Sequence, residues 1–362
     1  MTDRFQASAS AAANPTALAR IAARLPGAVR LDPSAWERLP TTGLAHDHLR
    51  PHGMRIDGLP LLLRVPRTSF SGLAPGAALA RQAEAFRRLA PSGRTPRLLA
   101  VFEPEDGLPY GALAVEEIAG TAPSLPRDLP VLAEALAAIH GLAMPSPDAR
   151  PPIEDQTRPV AATLAVIEAQ ATHFDAARVP AESRAMLDEE LAWARHFAAE
   201  PGVEDQPRAL VLTDTQPGNF LIGVDGRARC VDLEKALYGA VAIDLAHAAI
   251  PPAVGWDPAC RVALSPSDVA GFYRAYLTAV DPATARALRP WLATMRRLTW
   301  LRTVTIFAKM KAAHLSGAWT GHDLAPDFLA HVLAHIDRCH DPAHIAAMRA
   351  EWRSGPGSLS VL

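Results

Sequence analysis

The sequence predicts an α+β chain of two lobes, a small antiparallel sheet followed by a larger, mostly helical unit. Three observations carry this. Short strand-like runs separated by turns fill residues 26–118 around a single good helix. Helical patterning dominates from Val131 onward. One strand–turn–strand segment, residues 210–234, interrupts the helices and gathers two aspartates and an asparagine. At 362 residues the chain can bury two moderate cores. Its 49% hydrophobic and 20% charged residues mark it as globular and not disordered.

Taken in order, residues 1–25 read as an N-terminal tail or helix, small and polar at first, without the apolar run of a signal peptide. Residues 26–118 form the first lobe. Within it, 54–65 reads as a strand, an Asp57-Gly58 turn and a second strand. Residues 77–90 read as a helix, with Leu79, Ala83, Phe86 and Leu89 on its apolar face. Strands at 97–102 and 111–118 follow, joined through Asp106-Gly107, and 120–130 reads as a linker. Residues 119–362 form the helical lobe, with helices at 132–140, two flanking 160–200, and others at 267–280, 285–313 and 327–336. The 33 prolines cluster at joints, where they stop helices.

Composition excludes several classes. A formal net charge of −2 gives no electrostatic case for nucleic acid or an acidic membrane surface. No stretch approaches the ~18 apolar residues of a membrane span. Cys230, Cys260 and Cys339 are odd in number and far apart, so reduced thiols in a cytoplasmic protein are expected.

The chemistry concentrates at residues 210–234. An apolar strand runs into Asp214, and Asn219 follows five residues later. Residues 220–222 and 228–231 then read as a hairpin around Asp225-Gly226, which brings Asp232 back towards Asp214 and Asn219. One amide and two carboxylates at the mouth of a small sheet make a hard-oxygen site suited to magnesium and phosphate.

This pattern resembles the catalytic loop and metal-binding strand of the protein-kinase-like fold, and most closely the aminoglycoside phosphotransferase and choline kinase family. Val231-Asp232-Leu233-Glu234 matches that family's Ile/Val-Asp-x-Glu motif, and 239–246 matches its Gly-x-x-x-x-Asp-Leu-Ala run, with Asp244 as the acid. The resemblance implies ATP and Mg²⁺ as cofactors and a small-molecule hydroxyl as acceptor. It makes Asp214 the catalytic base, Asn219 and Asp232 the metal ligands, and Asp244 a brace for the loop, with a plain helix N-cap as the competing role for Asp244. Arg64 stands where the family has a basic residue facing the α- and β-phosphates, and Glu84 on the next helix would pair with it. Glu116 and Ile118 fall in the stretch that resembles the adenine-binding hinge. The phosphate-covering loop, 43–53, lacks a Gly-x-Gly-x-x-Gly run, and its His46, His48 and His52 have no supporting metal pattern.

Leu212 departs from the family, which usually has His two positions before the base; packing of Leu212 is expected to replace it. Leu212, Arg64 and the poor glycine loop favour the alternative of a non-catalytic, kinase-like binding or regulatory module. A protein kinase is ranked last, since Asp-Phe-Gly and Ala-Pro-Glu are both missing. His331 and His335, four apart on a helix, read as a polar face without the metalloprotease signature. Arg296, Arg297, Trp300, Arg302, Phe307, Lys309 and Lys311 make one long helix basic and aromatic. Residues 251–362 hold twelve Lys/Arg against eight Asp/Glu. A pocket for a polycation should be acidic, so a neutral or anionic acceptor is favoured.

Overall fold

The computed structural model describes residues 15–25, 36–39, 45–68, 72–322 and 324–353. Helix α1 (Pro15–Arg24) precedes β1 (Trp36–Arg38), β2 (His46–Pro51), β3 (Arg55–Ile56) and β4 (Leu59–Pro66); α2 (Pro75–Leu89) then leads to β5 (Leu98–Phe102) and β6 (Ala112–Glu116). The sheet is antiparallel in the order β1-β2-β4-β6-β5, with β3 paired to β4. Asp57 and Gly58 close the β3–β4 hairpin at φ of 50° and 78°, the left-handed pair that a two-residue hairpin turn demands.

Strand alternation decides which residues reach the site. Leu61, Leu63 and Val65 point into a core shared with Leu18 and Ile21 of α1, each worth ~1.5–3 kcal/mol on burial. Leu62 and Arg64, on the opposite face of β4, line the interlobe cleft. Helix α2 covers that side of the sheet, and its Leu79, Ala83, Phe86 and Leu89 join Leu113 and Val115 in the larger core.

The second part opens with β7 (Gly120–Thr121) and three helices, α3 (Leu129–His140), α4 (Pro159–Ala171) and α5 (Ala181–Ala198). Strands β8 (Arg208–Val211), β9 (Phe220–Gly223), β10 (Ala228–Cys230) and β11 (Leu237–Ala240) follow, then α6 (Val241–His247), α7 (Pro251–Val254), α8 (Pro266–Ala279), α9 (Pro282–Leu288), α10 (Leu292–Leu315), α11 (Pro326–Cys339) and α12 (Pro342–Arg353). The expected hairpin is present, with Phe220 opposite Cys230 and Ile222 opposite Ala228. Strand β7 adds to its other edge. A Cβ on Gly120 would lie 2.7 Å from the Ile222 carbonyl oxygen, so that close approach requires glycine. Strand β8 pairs with β11, and the segment carrying Asp214 is thus hung between two small sheets.

Two expectations need correction. The single helix over 285–313 is two helices separated by a tight turn at residues 289–291, because Pro290 removes a backbone donor and its ring clashes with the preceding turn. Helix α12 was not foreseen: its buried stripe is only Ile345, Met348 and Arg349. Cys230, Cys260 and Cys339 are buried free thiols. Among the described residues, no helix is long and apolar enough to cross a membrane.

Candidate active site

Strand β8 delivers the chain into Leu212, Thr213 and Asp214. Thr213 adopts φ of 60°, an uncommon conformation for a residue with a branched side chain. Asp244 holds it there. Its carboxylate accepts the amides of Leu212 and Thr213, both at 2.7 Å, and lies 3.0 Å from His140 Nε2 at the end of α3. Thr215 Oγ1 donates to the Asp244 carbonyl at 2.6 Å. Asp244 is fully buried and sits inside α6, whose N-cap position is Ala240. It is therefore a brace and not an N-cap. Leu212 is packed in the core, and an imidazole reaches the brace from another helix. Nothing in the sequence marked His140, which reads only as the last residue of a helix.

Asp214 borders the cleft, within ion-pair contact of Lys235 Nζ and 3.9 Å from His247 Nδ1. Burial disfavours its charge, but Lys235 and His247 outweigh that and hold the carboxyl below its usual range. Burial in turn drives the His247 imidazole down to about 4, so it is neutral at physiological pH. Asn219 donates its side-chain amide to the Asp214 carbonyl at 2.8 Å and accepts from Gln216 Nε2 at 3.1 Å. The Val231 amide donates to the Asn219 carbonyl at 2.9 Å, which ties the loop to the strand that presents Asp232. Lys235 was missed in the sequence, although it stands three residues past Asp232.

Arg64 is buried and donates to Asp232 Oδ1 at 2.8 Å and to the Val231 carbonyl at 2.7 Å. Burial again works against the Asp232 charge, and Arg64 with Lys235 overcomes it. Beside it, burial and the Asp232 carboxylate push the Glu234 carboxyl well above its usual range. His46 places Nδ1 3.4 Å from Glu234. His46, Asp232 and Glu234 bring ligand atoms within 4.8 Å of one another, but the Arg64 cation already occupies the Asp232 carboxylate. His48 lines the same cleft, while His52 is turned to solvent beside Glu37.

The expected Arg64–Glu84 pair does not form. Glu84 instead bonds Arg88 Nε at 2.7 Å and Arg87 at 3.3 Å on its own helix. Helical geometry is the reason: Phe86 turns its ring to the Arg64 guanidinium at 5.7 Å, and Glu84, two residues earlier, lies ~200° around the axis. Ala78, Arg81 and Gln82 are the α2 residues that line the cleft, and Gln82 lies 3.2 Å from His46 Nε2. If the cleft holds Mg·ADP, as the sequence resemblance implies, Glu84→Gln changes its affinity less than ~2-fold, whereas Arg64→Met weakens it at least ~10-fold through loss of charge-assisted bonds. Calorimetric titration of both variants checks this.

The same cleft, about 910 Å³, is lined by Glu116 and Ile118 as well as by Asp214, Asn219 and Asp232. The amides of Glu116 and Glu117 are taken by the carbonyls of Arg97 and Pro60. Ile118 lies just beyond β6, outside any strand. Residues 43 and 44 of the expected phosphate-covering loop lie outside the described residues.

Helix α10 divides its charged and aromatic residues between two tasks. Arg296 pairs with Glu351 and Arg297 with the buried Glu190, and Trp300 packs against Trp352. Arg302, Ile306, Phe307, Lys309 and Met310 line the cleft instead. His331 and His335 do not form a polar surface. They face the carbonyls of Gly255, Trp256 and Pro252 at 2.8–3.1 Å and support the segment around α7.

Residues 53–291 match the family model described as the phosphotransferase enzyme family. A search of curated proteins finds no match. Among solved structures, a choline/ethanolamine kinase family protein from Mesorhizobium loti is 20% identical, with 93% of this chain and 99% of that chain covered at a TM-score of 0.56. A macrolide 2′-phosphotransferase from Brachybacterium faecium is 16% identical over 90% and 97% of the two chains, at 0.53. A spectinomycin phosphotransferase in complex with ADP and spectinomycin is 12% identical over 86% and 91%, at 0.54. At these identities the likeness is one of fold, the two-lobed kinase-like fold. The family match covers most of the chain, including the Asp214 loop, the hairpin that leads to Asp232 and the Asp244 brace: this protein is a member of the phosphotransferase enzyme family.

Proposed function

We propose that the enzyme moves the γ-phosphoryl group of ATP onto a hydroxyl of a small molecule. One observation carries the reading: Asp214 is held ionised on the cleft wall, and its loop is bonded through Asn219 to the strand that presents Asp232. Asp214 would accept the proton of the attacking hydroxyl and orient it. The amide oxygen of Asn219 and the ionised carboxylate of Asp232 are hard donors that fit Mg²⁺. When bound, the ion neutralises charge on the phosphates during transfer. Arg64 would hold the α- and β-phosphates, with Ile118 and Glu116 at the adenine end. The ADP complex of the spectinomycin enzyme supports a nucleotide in the equivalent cleft.

A non-catalytic kinase-like module is the second reading. It is favoured by the two ion pairs, Lys235 on Asp214 and Arg64 on Asp232, which neutralise both carboxylates within the protein. Thermal unfolding with and without Mg·ATP, followed by ATP consumption against a panel of alcohols, separates the two. At ~100 times the dissociation constant a bound nucleotide adds ~2.7 kcal/mol and raises the melting temperature by several degrees. Asp232→Asn is expected to abolish the magnesium-dependent part of that rise. No shift with any nucleotide would refute the enzyme reading. A shift without turnover of any alcohol favours the module.

A further inference from the structure

The acceptor end of the cleft has a polarity of its own, set by one face of α10. Arg302, Ile306, Met310 and Ala313 recur at helical spacing along the wall and span ~16 Å. Arg302 marks the end next to the chemistry, because its Nη1 donates to the Thr213 carbonyl at 3.2 Å. That is the one hydrogen bond its guanidinium makes among the described residues, out of five possible donors. Beyond it Trp256, Phe307 and Phe328 add apolar surface to the helix face, with Lys309, Thr320 and His322 as polar members of the same lining.

Hydroxyls along this wall are already engaged. Thr163 and Thr303 donate back to the carbonyls of Pro159 and Thr299 on their own helices, and Thr320 Oγ1 lies 2.8 Å from His322 Nδ1. The rings are packed on one another and do not form an open cage: Trp256 stacks on Phe307 at 5.6 Å, and Phe328 on His331 at 6.4 Å. Asp257 is the nearby acid, and it is turned onto Gly218 and the Ala259 amide. A cationic acceptor would meet Arg302 at this end, and the Asp214 carboxylate is already paired with Lys235.

Resting on the phosphotransferase reading, we propose that the acceptor is an apolar, ring-sized alcohol carrying a carboxylate near its hydroxyl. Arg302 takes the carboxylate, and the Ile306–Met310–Phe307 wall takes the ring. Polycationic aminoglycosides and quaternary ammonium alcohols belong to a different charge class.

The test uses four probes on wild-type protein saturated with Mg·ADP, read by calorimetry: 3-(hydroxymethyl)-2-naphthoate, its primary amide, the matching trimethylammonium alcohol, and ringless glycolate. Mg·ADP is titrated first, and failure of that step overturns the phosphotransferase reading and this one together. With Mg·ADP bound, the naphthoate is expected to bind ~10-fold tighter than the amide, the gain typical of a charge-assisted bond. The ammonium compound and glycolate are expected to bind more weakly than either. In Arg302→Met the acid and amide become equal, while the ring's advantage over glycolate persists. Equal binding of acid and amide to wild type overturns the proposal, as does tightest binding by the ammonium alcohol or no binding by any probe at millimolar concentration. An acid preference that survives Arg302→Met overturns the assignment to Arg302.

Discussion

Asp214→Asn is expected to lower kcat by ~10²–10⁴-fold, the usual contribution of a positioned general base, with Mg·ADP affinity little changed. The amide keeps the size and shape of the carboxylate, so the loop geometry set by Asp244 stays. What disappears is the negative charge that attracts the hydroxyl proton, together with the partner of Lys235. Asp214 is buried, but Lys235 outweighs that and holds it below the usual carboxylate range, so its carboxylate is ionised throughout the neutral range. The loss of activity should therefore appear across the whole neutral range and not as a shifted profile. The measurement is steady-state ADP release with a competent acceptor, beside calorimetric Mg·ADP titration. An Asn variant that turns over like the parent means another group takes the proton. A variant that loses nucleotide affinity and turnover together means Asp214 acts by holding the cleft.

The parts of the site that are close in sequence were legible, because local geometry fixes them. Asp214, Asn219 and Asp232 lie within nineteen residues, and an Asp-Gly turn between two apolar runs leaves few ways to fold them. Leu79, Ala83, Phe86 and Leu89 announced α2 by spacing alone, and the strand–turn–strand runs announced the sheet. Contacts made between distant elements were not legible. The Arg64–Glu84 pair was inferred from resemblance, but the rotation of α2 sets Phe86 there instead. His140 on α3 meets the loop through Asp244, 104 residues away, and Arg302 on α10 bonds Thr213 across 89 residues. Separations of that size leave no periodic trace, so only the packed fold reveals them.

Asp244→Ala is expected to be the most damaging single change to stability and activity together. The carboxylate is fully buried and accepts two backbone amides at 2.7 Å, with His140 Nε2 at 3.0 Å. Removing it strands two buried amide donors and one imidazole nitrogen, and breaking a buried cluster of this kind costs ~3–5 kcal/mol. For a chain of this length that is a fall in melting temperature of roughly 4–7 °C. Activity should fall further than stability explains. Thr213 is held at φ of 60° by the bond from its amide, and without it the residue is free to relax towards the favoured region. The next residue is Asp214, and a displacement of ~1 Å at a reacting group costs ~10²-fold. His140→Ala removes the contacts with Asp244 and with the Tyr276 hydroxyl but leaves both amide bonds, so a loss of ~2–3 kcal/mol and a smaller fall in kcat are expected. Thermal unfolding and kcat measured on both variants, at a temperature where each is fully folded, separate the two effects. If folded Asp244→Ala retains parental kcat, the left-handed turn at Thr213 is fixed by its own bond to the Lys235 carbonyl and by Arg302, and Asp244 acts on stability alone.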